Sequence, residues 1–66
     1  MNLIINGEAK IVAPGATLAQ LIESLGLDLR KVAVERNLEI APRSTYAETV
    51  LVDGDRIEIV HFIGGG

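Results

Sequence analysis

The sequence contains no cysteine and no tryptophan, and only one histidine, one phenylalanine and one tyrosine. Without cysteine there is no disulfide, thiolate metal site, cysteine-ligated iron–sulfur cluster or thiol nucleophile, and one histidine is too few for a multi-histidine metal centre. No metal site and no bound cofactor are therefore expected. No apolar run approaches the roughly 20 residues that cross a bilayer. The first residues also lack the charged start and long apolar stretch of a secretory signal. The composition reads as that of a soluble, cytoplasmic protein with no membrane partner. Basic residues are scarce, with 6 Lys and Arg against 9 Asp and Glu and a net charge of −3. With so few aromatics to stack on bases, that balance disfavours nucleic acid and favours a protein partner carrying a basic patch. At 66 residues and 48% hydrophobic content, the chain holds one small domain and no separate catalytic domain.

The apolar pattern divides the chain into short strands around one helix. Met1 to Ile5 reads as a strand mostly buried on both sides, turned by Asn6-Gly7, a pair that tolerates the positive φ of a type I′ hairpin. The returning strand, Glu8 to Ala13, directs Ala9 and Ile11 one way and Glu8, Lys10 and Val12 the other, and Pro14-Gly15 closes it. Thr17 and Gln20 form a capping box for a helix over Leu18 to Leu25. Its apolar face is Leu18, Leu21, Ile22 and Leu25. Gly26 suits the left-handed C-terminal position, and Leu27 folds back over the last turn. Strands are expected at Lys31 to Arg36 and Leu38 to Ile40, the second halted by Pro42. Arg43 to Glu48 forms a helical turn or a loop. After apolar Val50 to Val52, Asp53-Gly54-Asp55 turns the chain into a last strand, Arg56 to Ile63. The order ββαββ predicts an α+β fold, in which a mixed sheet holds its first and last strands side by side at the centre. The domain spans 1–63 and a glycine tail spans 64–66.

The tail carries the chemistry. Gly64-Gly65-Gly66 follows an apolar strand, and glycine has no Cβ, so such a segment fits a narrow channel and leaves the Gly66 carbonyl open to a nucleophile. The reactive group is then the α-carboxylate of Gly66 itself. Val60 and Phe62 lie on the parity opposite to Ile57 and Ile59, which face the helix. With Ile63 beside them and Ile4 on the neighbouring strand, they form either a docking patch or a second small core under the Pro42 to Thr49 loop. His61 has no acidic partner in the sequence, and the turn explains Asp53 and Asp55 without a metal. Arg43 and Arg56 either pair with a partner's acids or are solvated.

The strand order is the β-grasp arrangement of ubiquitin. Ile40-Ala41-Pro42-Arg43, Tyr46, Asp53-Gly54-Asp55-Arg56-Ile57 and the terminal Gly65-Gly66 together resemble the pattern of the bacterial sulfur carrier proteins of thiamin (thiazole) biosynthesis. The resemblance covers essentially the whole chain. Two departures are mild: Tyr46 stands where the family often has tryptophan, and Gly64 precedes the diglycine. The resemblance implies a carrier that partner enzymes modify, not an enzyme. An adenylating, E1-like enzyme uses ATP to activate the Gly66 carboxylate, sulfur from a persulfide donor protein displaces AMP, and the resulting thiocarboxylate supplies thiazole synthase. Other destinations for the same chemistry are a molybdenum-cofactor precursor, as with the small subunit of molybdopterin synthase, or protein lysines, as with ubiquitin-like modifiers. A third class is a β-grasp binding module with no covalent chemistry, for which Gly65 and Gly66 would be dispensable.

Overall fold

Asn6 and Gly7 both take positive φ, at 49° and 81°, and so join β1 (Asn2–Ile5) to β2 (Glu8–Ile11) as a hairpin. This computed structural model describes residues 1–62. Beyond the hairpin come α1 (Leu18–Ser24), a 3₁₀ turn (Leu29–Lys31), β3 (Val32–Arg36), β4 (Glu39–Ala41), a second 3₁₀ turn (Arg43–Thr45) and β5 (Arg56–His61). The sheet order is β2-β1-β5-β3-β4. β5 runs parallel to β1 and antiparallel to β3, which places the first and last strands side by side at the centre as expected.

Seven residues make a helix too short to persist alone, so α1 depends on its ends and its buried face. The Thr17 hydroxyl oxygen accepts from the Gln20 amide at 3.2 Å, and the Gln20 side chain accepts from the Thr17 amide at 2.9 Å. The next free amides are also satisfied: Leu18 donates to the Thr49 carbonyl and Ala19 to the Tyr46 carbonyl. At the other end Gly26, with φ at 76°, donates to Glu23, and Leu27 donates to Ile22. This is the Schellman pattern that spares the last carbonyls from going unpaired. Leu18, Ala19, Leu21 and Ile22 are buried against Leu3 and Ile5 of β1, Val32 and Val34 of β3, and Ile57 and Ile59 of β5. Each large aliphatic side chain so buried contributes roughly 1.5–3 kcal/mol relative to exposure.

Several boundaries or faces differ from the sequence reading, among them the start of β3, which falls at Val32 because Lys31 closes the preceding 3₁₀ turn. β1 is buried on one side: Leu3 and Ile5 are covered while Ile4 is half-exposed, because the single helix covers one face of the sheet. β2 ends at Ile11 and none of its residues is buried. It is an edge strand beyond the helix, and pairing of Leu3 with Lys10 and Ile5 with Glu8 sends Ile11 to the uncovered face. β4 starts one residue late because Asn37 and Leu38 form the turn, with φ at 51° and 72°. The helix ends at Ser24, and Leu25 caps it with substantial exposure. The last strand is described to His61; Phe62 continues its pairing by donating its amide to the Lys31 carbonyl. Ile63 and the boundary between 63 and 64 lie outside the described residues.

Candidate functional site

The uncovered face of the sheet and the strand leading to the glycine tail form the candidate site. Register assigns the face. Val34 pairs with Ile59 and Arg36 with Ile57 on the helix side. The intervening pairs, Ala33 with Val60 and Glu35 with Glu58, therefore point away from the helix. Ile4, beside Arg56 across the parallel pair, joins that face, and Ile40, opposite Glu35, extends it onto β4. Val60 is 62% exposed, Phe62 37% and Ile40 81%. Ala33, Val34, Glu35, Ile40, Glu58 and Val60 line a shallow groove across β5, β3 and β4. The Pro42 to Thr49 loop packs on the helix side, where Tyr46 is buried in the main core; it does not cover Val60. Of the docking residues expected from sequence, Ile4 and Val60 share this face and Phe62 continues it past the end of β5, but the register sets Ile4 beside Arg56 at the start of β5, away from the other two. Ile63 and the tail residues Gly64, Gly65 and Gly66 lie outside the described residues.

Strand β5 is held in place at its start by side chains from three turns. Asp55 is 3% exposed; it accepts from the Val52 amide at 2.9 Å, from Asn37 Nδ2 at 3.0 Å and from Arg36 Nε at 3.0 Å. Burial by itself would raise the Asp55 pKa, but those hydrogen bonds and the Arg36 charge together hold it below the ordinary carboxylate value. Asn37 Oδ1 accepts from the Arg56 amide at 2.9 Å. Asn6 reaches from the first hairpin: its Oδ1 accepts from the Ile59 amide at 2.7 Å, and its Nδ2 donates to the Ile59 carbonyl at 3.3 Å. The neighbouring Asp53 accepts from the Asn2 amide. The Asp-Gly-Asp segment is thus structural, with its two carboxylates used in different hydrogen bonds. Sequence reasoning identified the turn but not the part played by Arg36, Asn37 and the Asn6 side chain. The excess of asparagine and aspartate at the turns is the signal that could have pointed to them.

Tyr46 occupies the position that left the packing under its loop open in the sequence. Its ring lies in the core, and its hydroxyl donates to the Val32 carbonyl at 3.5 Å. Burial pushes the phenol pKa up. His61 is exposed opposite Val32, with no hydrogen bond or ion pair to a carboxylate among the described residues. Among the described residues no group of three or more His, Asp or Glu is placed to hold a metal, and no helix is long and apolar enough to cross a membrane.

Comparison with known proteins follows the same outline. The model of the ThiS family matches residues 3–66. A thiazole synthase from Paramagnetospirillum magneticum is 56% identical over all 66 residues, although the chain spans only 20% of that protein's length. The sulfur carrier protein ThiS of Bacillus subtilis is 50% identical over 50 residues, 76% of each chain. The crystal structure of the thiamine biosynthesis protein ThiS from Geobacter metallireducens superposes with a TM-score of 0.84 at 35% identity, covering the whole of both chains. With a family model matched across nearly its whole length and the same ubiquitin-like β-grasp fold, the chain belongs to the ThiS family.

Proposed function

We propose that this chain is a sulfur carrier of thiamin biosynthesis and that, where the mature protein ends at Gly66, its working group is the α-carboxylate of that residue. The observation that carries the reading is the family match, which runs to residue 66 and so includes the diglycine. The β-sheet contributes a rigid base: β5 is central, held by β1 on one side and β3 on the other, and leads directly to the tail. Relatives named as sulfur carriers support the class of reaction, and the occurrence of the same module within a thiazole synthase supports that enzyme as the acceptor.

The chemistry then follows from the weakness of a carboxylate as an electrophile. A carboxylate oxygen of Gly66 attacks the α-phosphorus of ATP bound to an E1-like adenylating enzyme, and pyrophosphate leaves. The acyl adenylate has AMP as a good leaving group. The terminal sulfur of a persulfide donor attacks the acyl carbon and displaces AMP, giving an acyl disulfide. A thiol opens that disulfide, forming a new disulfide with the donor sulfur and releasing the thiocarboxylate for thiazole synthase. Apart from the Gly66 carboxylate itself, no side chain of this protein is called on as acid, base or nucleophile in these steps. The chain holds a carbonyl without side-chain obstruction and presents a recognisable surface behind it, as a co-substrate of its partners.

The test is ATP–pyrophosphate exchange with the adenylating enzyme of the same organism. A chain ending at Gly66 is expected to support exchange, and one lacking Gly66, or extended beyond it, to support none while keeping its fold. Exchange by the truncated chain at the full rate would refute the assignment of Gly66.

A further inference from the structure

The centre of the uncovered face carries a pairing that works against the fold. Glu35 and Glu58 are direct cross-strand neighbours in the antiparallel β3–β5 ladder, both exposed. Side chains so paired have Cβ atoms about 4.5–5.5 Å apart, and like charges there are destabilising. Among the described residues the ion pairs are Arg30 with Asp28 and Arg36 with Asp55; neither Glu35 nor Glu58 has a cation. Arg56 shares the face, two residues before Glu58, yet forms no ion pair with either. The two carboxylates border the groove whose apolar side chains are Ala33, Ile40 and Val60. An apolar depression edged by two uncompensated anions matches one kind of side chain: an aliphatic stem ending in a planar cation with several donors.

We propose that Glu35 and Glu58 form a socket for an arginine presented on an apolar surface of the adenylating enzyme. The stem lies over Val60, Ala33 and Ile40, and the guanidinium, with donors arranged as a fork, spans both carboxylates where an ammonium would satisfy one at a time. Charge complementarity selects a basic partner, and continuity selects the partner that takes the tail, since β5 carries Glu58 and Val60 and then leads to Gly64–Gly66. The identity of that partner rests on the sulfur-carrier reading. The repulsion between the two glutamates is a cost in the free protein that docking removes, so the pair improves recognition at the expense of stability.

That opposition of signs gives the test. Glu58→Lys and Glu35→Gln are each measured twice: for urea midpoint, and for Kd against the purified adenylating enzyme by direct titration, which requires no turnover. Glu58→Lys places a cation opposite Glu35, so the expected result is a urea midpoint at or above that of the wild type with Kd weakened at least tenfold. Glu35→Gln is expected to act in the same direction by a smaller factor, and the wild-type Kd to weaken with added salt more steeply than that of either variant. Unchanged Kd in both variants, or no binding by the wild-type chain, would overturn the socket. The sulfur-carrier reading is judged separately, by whether the wild-type chain gains sulfur at its C-terminal peptide.

Discussion

Asp55 shows how much a single residue can do in a domain of this size. It is buried and receives hydrogen bonds from the Val52 amide, Asn37 and Arg36, so it joins the turn before β5 to the β3–β4 turn. Asp55→Asn keeps the shape but removes the charge and replaces an acceptor oxygen with a donor. It is expected to cost about 1–3 kcal/mol in urea unfolding at neutral pH. The folded pKa lies below the ordinary carboxylate value, so the carboxylate contributes stability that is fully present above the unfolded pKa. That contribution is lost as pH falls through the folded value, because the unfolded chain then binds the proton more readily. The wild type should therefore lose stability below about pH 4 and Asp55→Asn should lose less over the same range; parallel acid profiles would contradict the assignment. Leu21 and Phe62 separate core from surface. Leu21→Ala is expected to cost roughly 2–5 kcal/mol, and Phe62→Ala to change stability little while weakening partner binding. Denaturation that ranked Phe62→Ala as the more damaging would reverse the face assignment. Residues such as Leu21 were legible because helical spacing reports burial directly. Asp55, Arg36 and Asn6 were not, since Arg36 reaches Asp55 across 19 positions and Asn6 reaches Ile59 across 53, and no local pattern encodes that pairing.

At the level of elements, the ends of the helix and the turns were written locally and could be read. Thr17 with Gln20, Gly26 with Leu27, and Asn6-Gly7 each place a backbone requirement on the residue type best suited to it. Thr17→Ala is expected to destabilise the fold by about 0.5–2 kcal/mol, measured by urea titration; an unchanged midpoint would mean that the carbonyls of Tyr46 and Thr49 alone suffice for the first turn. Leu38 was assigned to the strand instead of the turn for a physical reason. Leucine at a φ of 72° is unfavourable for an L-residue, so propensity assigned Leu38 to the strand, yet the pairing of Arg36 with Glu39 leaves it in the turn. Leu38 is also 81% exposed and gains little from burial to offset that strain. Leu38→Asn is expected to raise stability by up to about 1 kcal/mol, because asparagine tolerates the left-handed region better. A lower midpoint would show that the exposed leucine makes a stabilising contact. The parity of the edge strand β2 was legible, with Ala9 and Ile11 on one side, but its end at Ile11 was not, and alternation does not say whether a helix lies above a strand.

For the whole molecule, the division of labour follows from the sheet. One face is committed to the helix and buries every large core residue between Leu3 and Ile59. The other is uncovered, is the face proposed for partner docking, and includes β5, the strand that precedes the tail in the sequence. The strand order, the central position of β5 and the family pattern could be read from sequence because each depends on element types and their succession. The uncovered face could be named by parity at Val60 and Phe62, but its acidic pair and its extension to Ile40 required the register of β3 against β5 and β4. The central claim, that Gly66 is loaded with sulfur, is tested most directly by the intact mass of the untagged chain before and after incubation with ATP, the adenylating enzyme, a persulfide donor and a thiol. The account predicts a gain equal to exchanging one oxygen for sulfur, located in the C-terminal peptide and absent without ATP. An unchanged mass with an enzyme shown to be active on this chain, or a mature protein that continues beyond Gly66 and is still loaded elsewhere, would contradict it.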